Sequence, residues 1–232
     1  MALIDNLVSY YKMDTSWSFP DAHWSNTWTI NWATYTASWK INWWYSFDWT
    51  NDYVDCWDTT WLRLLWNYSI FFWVKFNSLT GTQRLVNKDN ADDFSGGYSL
   101  TYSSADWITS THNNWTNKNW GTGYHPTVST WTQIWITFDW TNRRLYVNWS
   151  QQGSNFATSW NVVWETNRLF LWTYWATTWL WQYLNWTLDE LWLWERALSA
   201  AEVTELYNAW AWLTYPFTVW SSNNNFFMFF NN

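Results

Sequence analysis

Apolar and polar positions alternate along most of this chain with the two-residue period of β-strands. Leu7-Val8-Ser9-Tyr10-Tyr11-Lys12-Met13 alternates weakly, and Tyr98-Ser99-Leu100-Thr101-Tyr102 alternates clearly. Tyr68 to Phe76 is a β-branched and aromatic run that suits a central strand. Trp131 to Phe138 and Arg144-Leu145-Tyr146-Val147 form a candidate hairpin around Asp139 to Asn142. Arg168-Leu169-Phe170-Leu171 and Leu188 to Trp194 supply late strands. Strands at this spacing, separated by turn signals, predict an all-β, two-sheet antiparallel β-sandwich. One short C-terminal helix is predicted near 199–208. Ser199-Ala200-Ala201-Glu202 fits a capping box, after which Val203, Leu206 and Tyr207 share a face. The segments from Asn87 to Ser95 and Thr111 to Pro126 read as long polar loops, where binding usually resides.

The turns between these strands hold an unexpected residue. Trp follows Asn or Asp at Trp32, Trp43, Trp49, Trp107, Trp115, Trp120, Trp140, Trp149 and Trp186. Hairpin turns of the Asn-Gly and Asp-Gly kind need φ > 0, which a bulky side chain resists. The chain has 31 Trp and 6 Gly in 232 residues, where about 7% Gly, roughly 16, is usual. The codon UGA accounts for such a swap: some codes read it as tryptophan and others as glycine. Most of the tryptophans are therefore expected to mark glycines. The alternative is a truly Trp-rich aromatic binder. The recoding reading expects the chain to turn tightly at Trp49, Trp140, Trp149 and Trp186, with rings in solvent. It expects Trp73, Trp131 and Trp194 to be buried.

The length suits one domain, taken as 1–215, with a tail at 216–232 that holds the apolar Phe226-Phe227-Met228-Phe229-Phe230. A formal net charge of −7 argues against a general nucleic-acid binder. The lone Cys56 excludes an internal disulfide framework and is expected to be a small, half-buried strand-end residue. No run reaches the roughly 18 apolar residues of a membrane span, so membrane insertion is not expected. The start, Met1-Ala2-Leu3-Ile4-Asp5, shows no signal-peptide pattern. Export by another route, carriage on a phage particle and membership of a longer chain all remain open.

In this order, the segments resemble the laminin-G-like, concanavalin A-like jelly-roll family of secreted, surface and phage-associated proteins, over about residues 6 to 213. Asp21 to Trp28 is similar to the family's Asp-Ser-Ser-Gly-Asn loop, and Tyr45 to Val54 to its FDGxxDYV segment. Ser69 to Val74 resembles its SxxxWV strand, and Trp131 through Trp149 its WTQ…LYVNG hairpin. Leu188-Asp189-Glu190-Leu191-Trp192-Leu193-Trp194-Glu195-Arg196-Ala197-Leu198-Ser199 resembles the closing DEVGIWNRALS motif, the most specific of these. Trp73, Trp131 and Trp194 fall where the family has aromatics. Trp32, Trp49, Trp140, Trp149, Trp172, Trp186 and Trp192 fall where it has glycine.

The resemblance also brings glucanases into view. Their Glu-x-Asp-x-Glu string is absent, and the glutamates are Glu165, Glu190, Glu195, Glu202 and Glu205. Asp189-Glu190 is the nearest acidic pair, but adjacent strand residues point to opposite faces. No enzyme is expected. His23, His112 and His125 lack ligand spacing. Calcium is the implied ion, with Asp21, Asn26 and Asp189 as candidate ligands through their hard oxygens. Equally, Asp21 and Asn26 suit Asx turns and Asp189 an amide or Arg partner. For a ligand, the resemblance implies carbohydrate. Lys88, Asp89, Asp92, Tyr98, Tyr102, His112 and Asn114 offer the polar and aromatic groups, although an ordinary solvated loop would look the same.

The expected function is a non-catalytic extracellular, cell-surface or virion-associated recognition module. Its expected partner is a glycan or a cell-surface or virion protein. The alternative is a structural or protein-interaction domain of a fibre, tail or adhesin, and a glycoside hydrolase is the second alternative.

Overall fold

The computed structural model describes residues 2–16, 18–23, 27–37, 43–48, 50–57, 60–64, 66–89, 97–105, 107–112, 120–158, 168–171, 174–175, 180–181 and 185–208. In chain order the strands are β1 (Leu7–Tyr11), β2 (Phe19–Pro20), β3 (Thr27–Asn31), β4 (Thr34–Ala37), β5 (Trp43–Asp48) and β6 (Tyr53–Asp55). There follow β7 (Tyr68–Phe76), β8 (Thr82–Asp89), β9 (Gly97–Ser103), β10 (Trp107–His112), β11 (Trp120–Gly121) and β12 (Trp131–Phe138). The last are β13 (Asn142–Val147), β14 (Ser150–Ala157), β15 (Phe170–Leu171), β16 (Tyr174–Trp175), β17 (Leu180–Trp181) and β18 (Asn185–Trp194), and helix α1 (Ala200–Asn208) closes the series.

Two antiparallel sheets form the predicted sandwich. One runs β14-β13-β12-β7-β18-β5-β4, with β1 also paired to β18. The other runs β11-β10-β9-β8-β15-β6-β3-β2. The alternation read from the sequence decides which face of the first sheet meets the second. On β7, Tyr68, Ile70, Phe72, Val74 and Phe76 join the core between the sheets. Phe71 and Trp73 join a second cluster on the other face. That outer cluster is sealed by Leu3 and by Leu198, Val203 and Leu206 around α1.

The closing motif fastens this seal. The Trp194 indole donates to the Leu3 carbonyl at 2.9 Å, and Arg196 Nε to that of Asp5 at 2.7 Å. The capping box forms as expected: the Ser199 amide donates to Glu202 Oε2 at 2.8 Å, and the Glu202 amide to Ser199 Oγ at 3.3 Å. The basic partner of Glu202 is Arg196, at 2.7 Å.

The tryptophans divide. Trp32, Trp57, Trp140 and Trp149 lie at φ of 57° to 73°, and all four are exposed. Asn148 (φ 47°) and Trp149 (φ 67°) form a two-residue loop between β13 and β14, the sign pattern of a type I′ turn. Trp73 and Trp194 are buried as expected. Two expectations fail. Trp131 is only half-buried, against the edge of the outer cluster. Trp186 is not in a turn: it lies within β18, fully buried in the core. Trp43, Trp107 and Trp120 likewise belong to strands. Trp49, Trp115 and Trp172 fall outside the described residues. Cys56, expected half-buried, is wholly buried, and burial pushes its thiol pKa up.

Candidate functional site

The acidic residues singled out in the sequence meet at an interruption in β18. On one side this strand pairs β5 through Leu188 opposite Tyr45, then β1 from Leu191 opposite Tyr11. Asp189 and Glu190 occupy the gap between those two strands. On the other side Asp189 pairs Trp73 and Leu191 pairs Phe72, so Glu190 is an extra residue, at φ 50°. This is a β-bulge. Its effect on facing is readable from the core: Trp186 and Leu188 point inward before it, Leu191 and Leu193 after it. The two residues between thus fill the place of one outward residue. The expectation that Asp189 and Glu190 point to opposite faces is thereby corrected.

Both carboxyl groups are buried. Burial, reinforced by the Asp189 charge and by Asp14, holds Glu190 well above the ordinary carboxylate range, against a hydrogen bond from Tyr10 and the charge of Lys12. Tyr10 belongs to the outer cluster, which places Glu190 on that side. Burial, with the Glu190 charge behind it, raises the Tyr10 phenol in turn.

Asp21 lies beside β1. Its Oδ1 accepts from the amides of Tyr10 at 3.0 Å and His23 at 2.9 Å, and Asp21 bridges to Tyr11. This is the Asx-turn role foreseen for Asp21. Asn26 lies outside the described residues. Among the described residues, no three His, Cys, Asp or Glu side chains are placed to hold a metal ion. The oxygen chemistry of Asp21 and Asp189 suits calcium.

Three of the ligand residues proposed from sequence lie in the sheet. Lys88 and Tyr98 face each other across β8 and β9, and both are buried, as is Tyr102. The Tyr98 hydroxyl donates to the Leu62 carbonyl and that of Tyr102 to Leu79, each at 2.9 Å. Both tyrosines are core residues, which corrects their assignment to a ligand loop. The strands also reach further into the expected loops: Asp89 ends β8 and His112 ends β10. Asp92 and Asn114 lie outside the described residues. Sequence reasoning missed Tyr10 and the bulge, because a bulge depends on pairing with a distant strand.

Residues 48–204 match the Laminin G 3 model of the concanavalin A-like lectin/glucanases superfamily. The chain belongs to that superfamily. No curated protein matches it in sequence. Solved structures of the same fold include domain 4 of AbnA, a GH43 extracellular arabinanase from Geobacillus stearothermophilus, in complex with arabinotriose. It superposes with a TM-score of 0.70 at 17% identity, covering 87% of this chain and 98% of that one. The binding domain of Paraclostridial Mosquitocidal Protein 1 has a TM-score of 0.74 at 15% identity, covering 89% and 52%. The binding domain of Botulinum neurotoxin DC in complex with SialylT has a TM-score of 0.67 at 11% identity, covering 90% and 52%. The chain therefore spans about half the length of those two toxin domains.

Proposed function

We propose that this superfamily member is a non-catalytic carbohydrate-recognition module acting outside the cell or at its surface. One observation carries the reading. The arabinanase domain crystallised with arabinotriose is almost coextensive with this chain, which covers 98% of it. The toxin binding domains support the same class of role. The acidic pair supports a non-catalytic reading. A glycosidase needs two carboxyl groups open to substrate in one cleft, whereas Asp189 and Glu190 are 1% and 4% exposed.

A glycan array carrying arabino-oligosaccharides and sialylated glycans tests the proposal. Saturable binding to a defined glycan class is the expected result. Uniform silence from folded protein would instead favour a structural or protein-interaction domain of a fibre, tail or adhesin.

Calcium is the second element of the proposal, held by Asp21 and Asp189 with Asn26. Asp189 is buried, and a divalent cation beside it would offset the cost of burying its charge. Ligand binding to the folded state raises the melting temperature. Thermal unfolding in excess calcium and in excess chelator should therefore differ. Equal midpoints would remove the ion from the account.

A further inference from the structure

We propose that eight tryptophans stand where the organism's own protein carries glycine, because UGA codons in its gene are read as glycine. Two independent observations support this.

The first is backbone conformation. Trp32, Trp57, Trp140 and Trp149 have φ of 59°, 57°, 73° and 67°. In this region a Cβ clashes with the following carbonyl oxygen, and glycine is the default residue. The local hydrogen bonding requires these turns. The Asp139 amide donates to the Asn142 carbonyl at 3.2 Å around Trp140. The Trp57 amide donates to Asp55 Oδ1 at 2.9 Å, and its carbonyl accepts from Leu169 at 3.2 Å. All four rings project outward, with exposures from 39% to 69%. They do not converge on one groove or one core, as a purpose-built aromatic surface would require.

The second observation is crowding inside. Aromatic rings usually rest with centroids about 4.5–7 Å apart. Ring pairs of Tyr and Phe alone obey this, from 5.2 Å for Tyr35–Tyr45 to 6.2 Å for Tyr53–Phe170. Trp73, kept as a true tryptophan, sits 6.4 Å from Phe71. The buried tryptophans at the remaining sites press closer. Trp28 lies 3.5 Å from Tyr11, Trp192 3.6 Å from Tyr10, Trp135 4.0 Å from Phe71 and Trp186 4.2 Å from Phe76. The Trp186 indole Nε1 donates to Gln83 Oε1. Overpacking of this kind arises where the backbone is spaced for a smaller residue. Trp28, Trp135, Trp186 and Trp192 thus join the four turn positions, which explains why Trp186 is buried and still out of place.

The consequence for recognition is direct. Trp66 and Trp140 stack in parallel at 4.9 Å, both exposed, and look like a sugar platform. With glycine at position 140 that pair does not exist. The inference is independent of the proposed function, since it concerns residue identity alone.

Peptide mass spectrometry of the protein isolated from its source organism tests it. The expected result is glycine at the eight positions and tryptophan at 73 and 194. The gene should show UGA at the eight and UGG at those two. Tryptophan in the native peptides, or UGG codons, at the four positive-φ positions would overturn the proposal, whatever the glycan array shows.

Discussion

The guanidinium of Arg143, on β13, reaches across the sandwich and donates through Nη1 to the carbonyl oxygen of Ser110, on β10, at 2.6 Å. The same side chain donates from Nε to Thr158 Oγ1 at 3.1 Å and lies over the Phe156 ring. Arg143 is completely buried. Truncation would strand the Ser110 carbonyl and leave a large void. Arg143→Ala should cost roughly 1–3 kcal/mol of stability, read by urea denaturation. A loss under 1 kcal/mol would show that the cross-sheet link contributes little.

Asp139 organises the β12–β13 hairpin. Its Oδ1 accepts from the Thr141 and Asn142 amides at 3.1 Å and 2.8 Å, and its Oδ2 meets Arg144 Nη1 at 2.6 Å. Against the pull of burial, these bonds lower its pKa from 3.8 to about 2. A depressed carboxylate contributes stability that is complete above the unfolded value of 3.8 and is lost as pH falls through about 2. Asp139→Ala should cost about 1 kcal/mol at neutral pH and progressively less below pH 3.8. An unchanged difference between pH 5 and pH 2, roughly, would contradict this assignment.

Glu190 has the opposite sign. Its folded pKa is raised well above 4.5 by burial and then by Asp189. In that window the folded state binds more protons than the unfolded one, so stability falls as pH rises from 4.5 towards the folded pKa. In chelator, Glu190→Gln should therefore melt higher than the parent near pH 7, with a gap that shrinks towards pH 4.5. A substitution that destabilises equally at both pH values would point to lost packing instead.

Much of this fold is legible in the residue pattern, and the exceptions have physical causes. The bounds of β7 and β12 follow from their apolar runs, and the capping box fixes the start of α1. Strand β14 escaped because it is an edge strand, its residues Ser150 to Ala157 largely exposed and polar. The Asn185-Trp186 pair misled because a dipeptide rule ignores the long strand it begins, paired to β5 and β7. Tyr98 and Tyr102 misled because a core tyrosine with a bonded hydroxyl and a sugar-stacking tyrosine read alike in sequence. Asp189 was visible, but the bulge that turns Glu190 beside it was not.

The central claim is that the positive-φ tryptophans occupy glycine positions while the retained ones build the core. The thermal unfolding of two single variants tests it most directly. Trp32 has φ 59°, is 69% exposed and lies 6.3 Å from the Tyr53 ring. Trp32→Gly should relieve the left-handed strain and raise stability by about 1 kcal/mol. Trp194→Gly, which removes a buried ring bonded to Leu3, should lower stability by about 3–5 kcal/mol. Destabilisation of similar size in both variants would contradict the account.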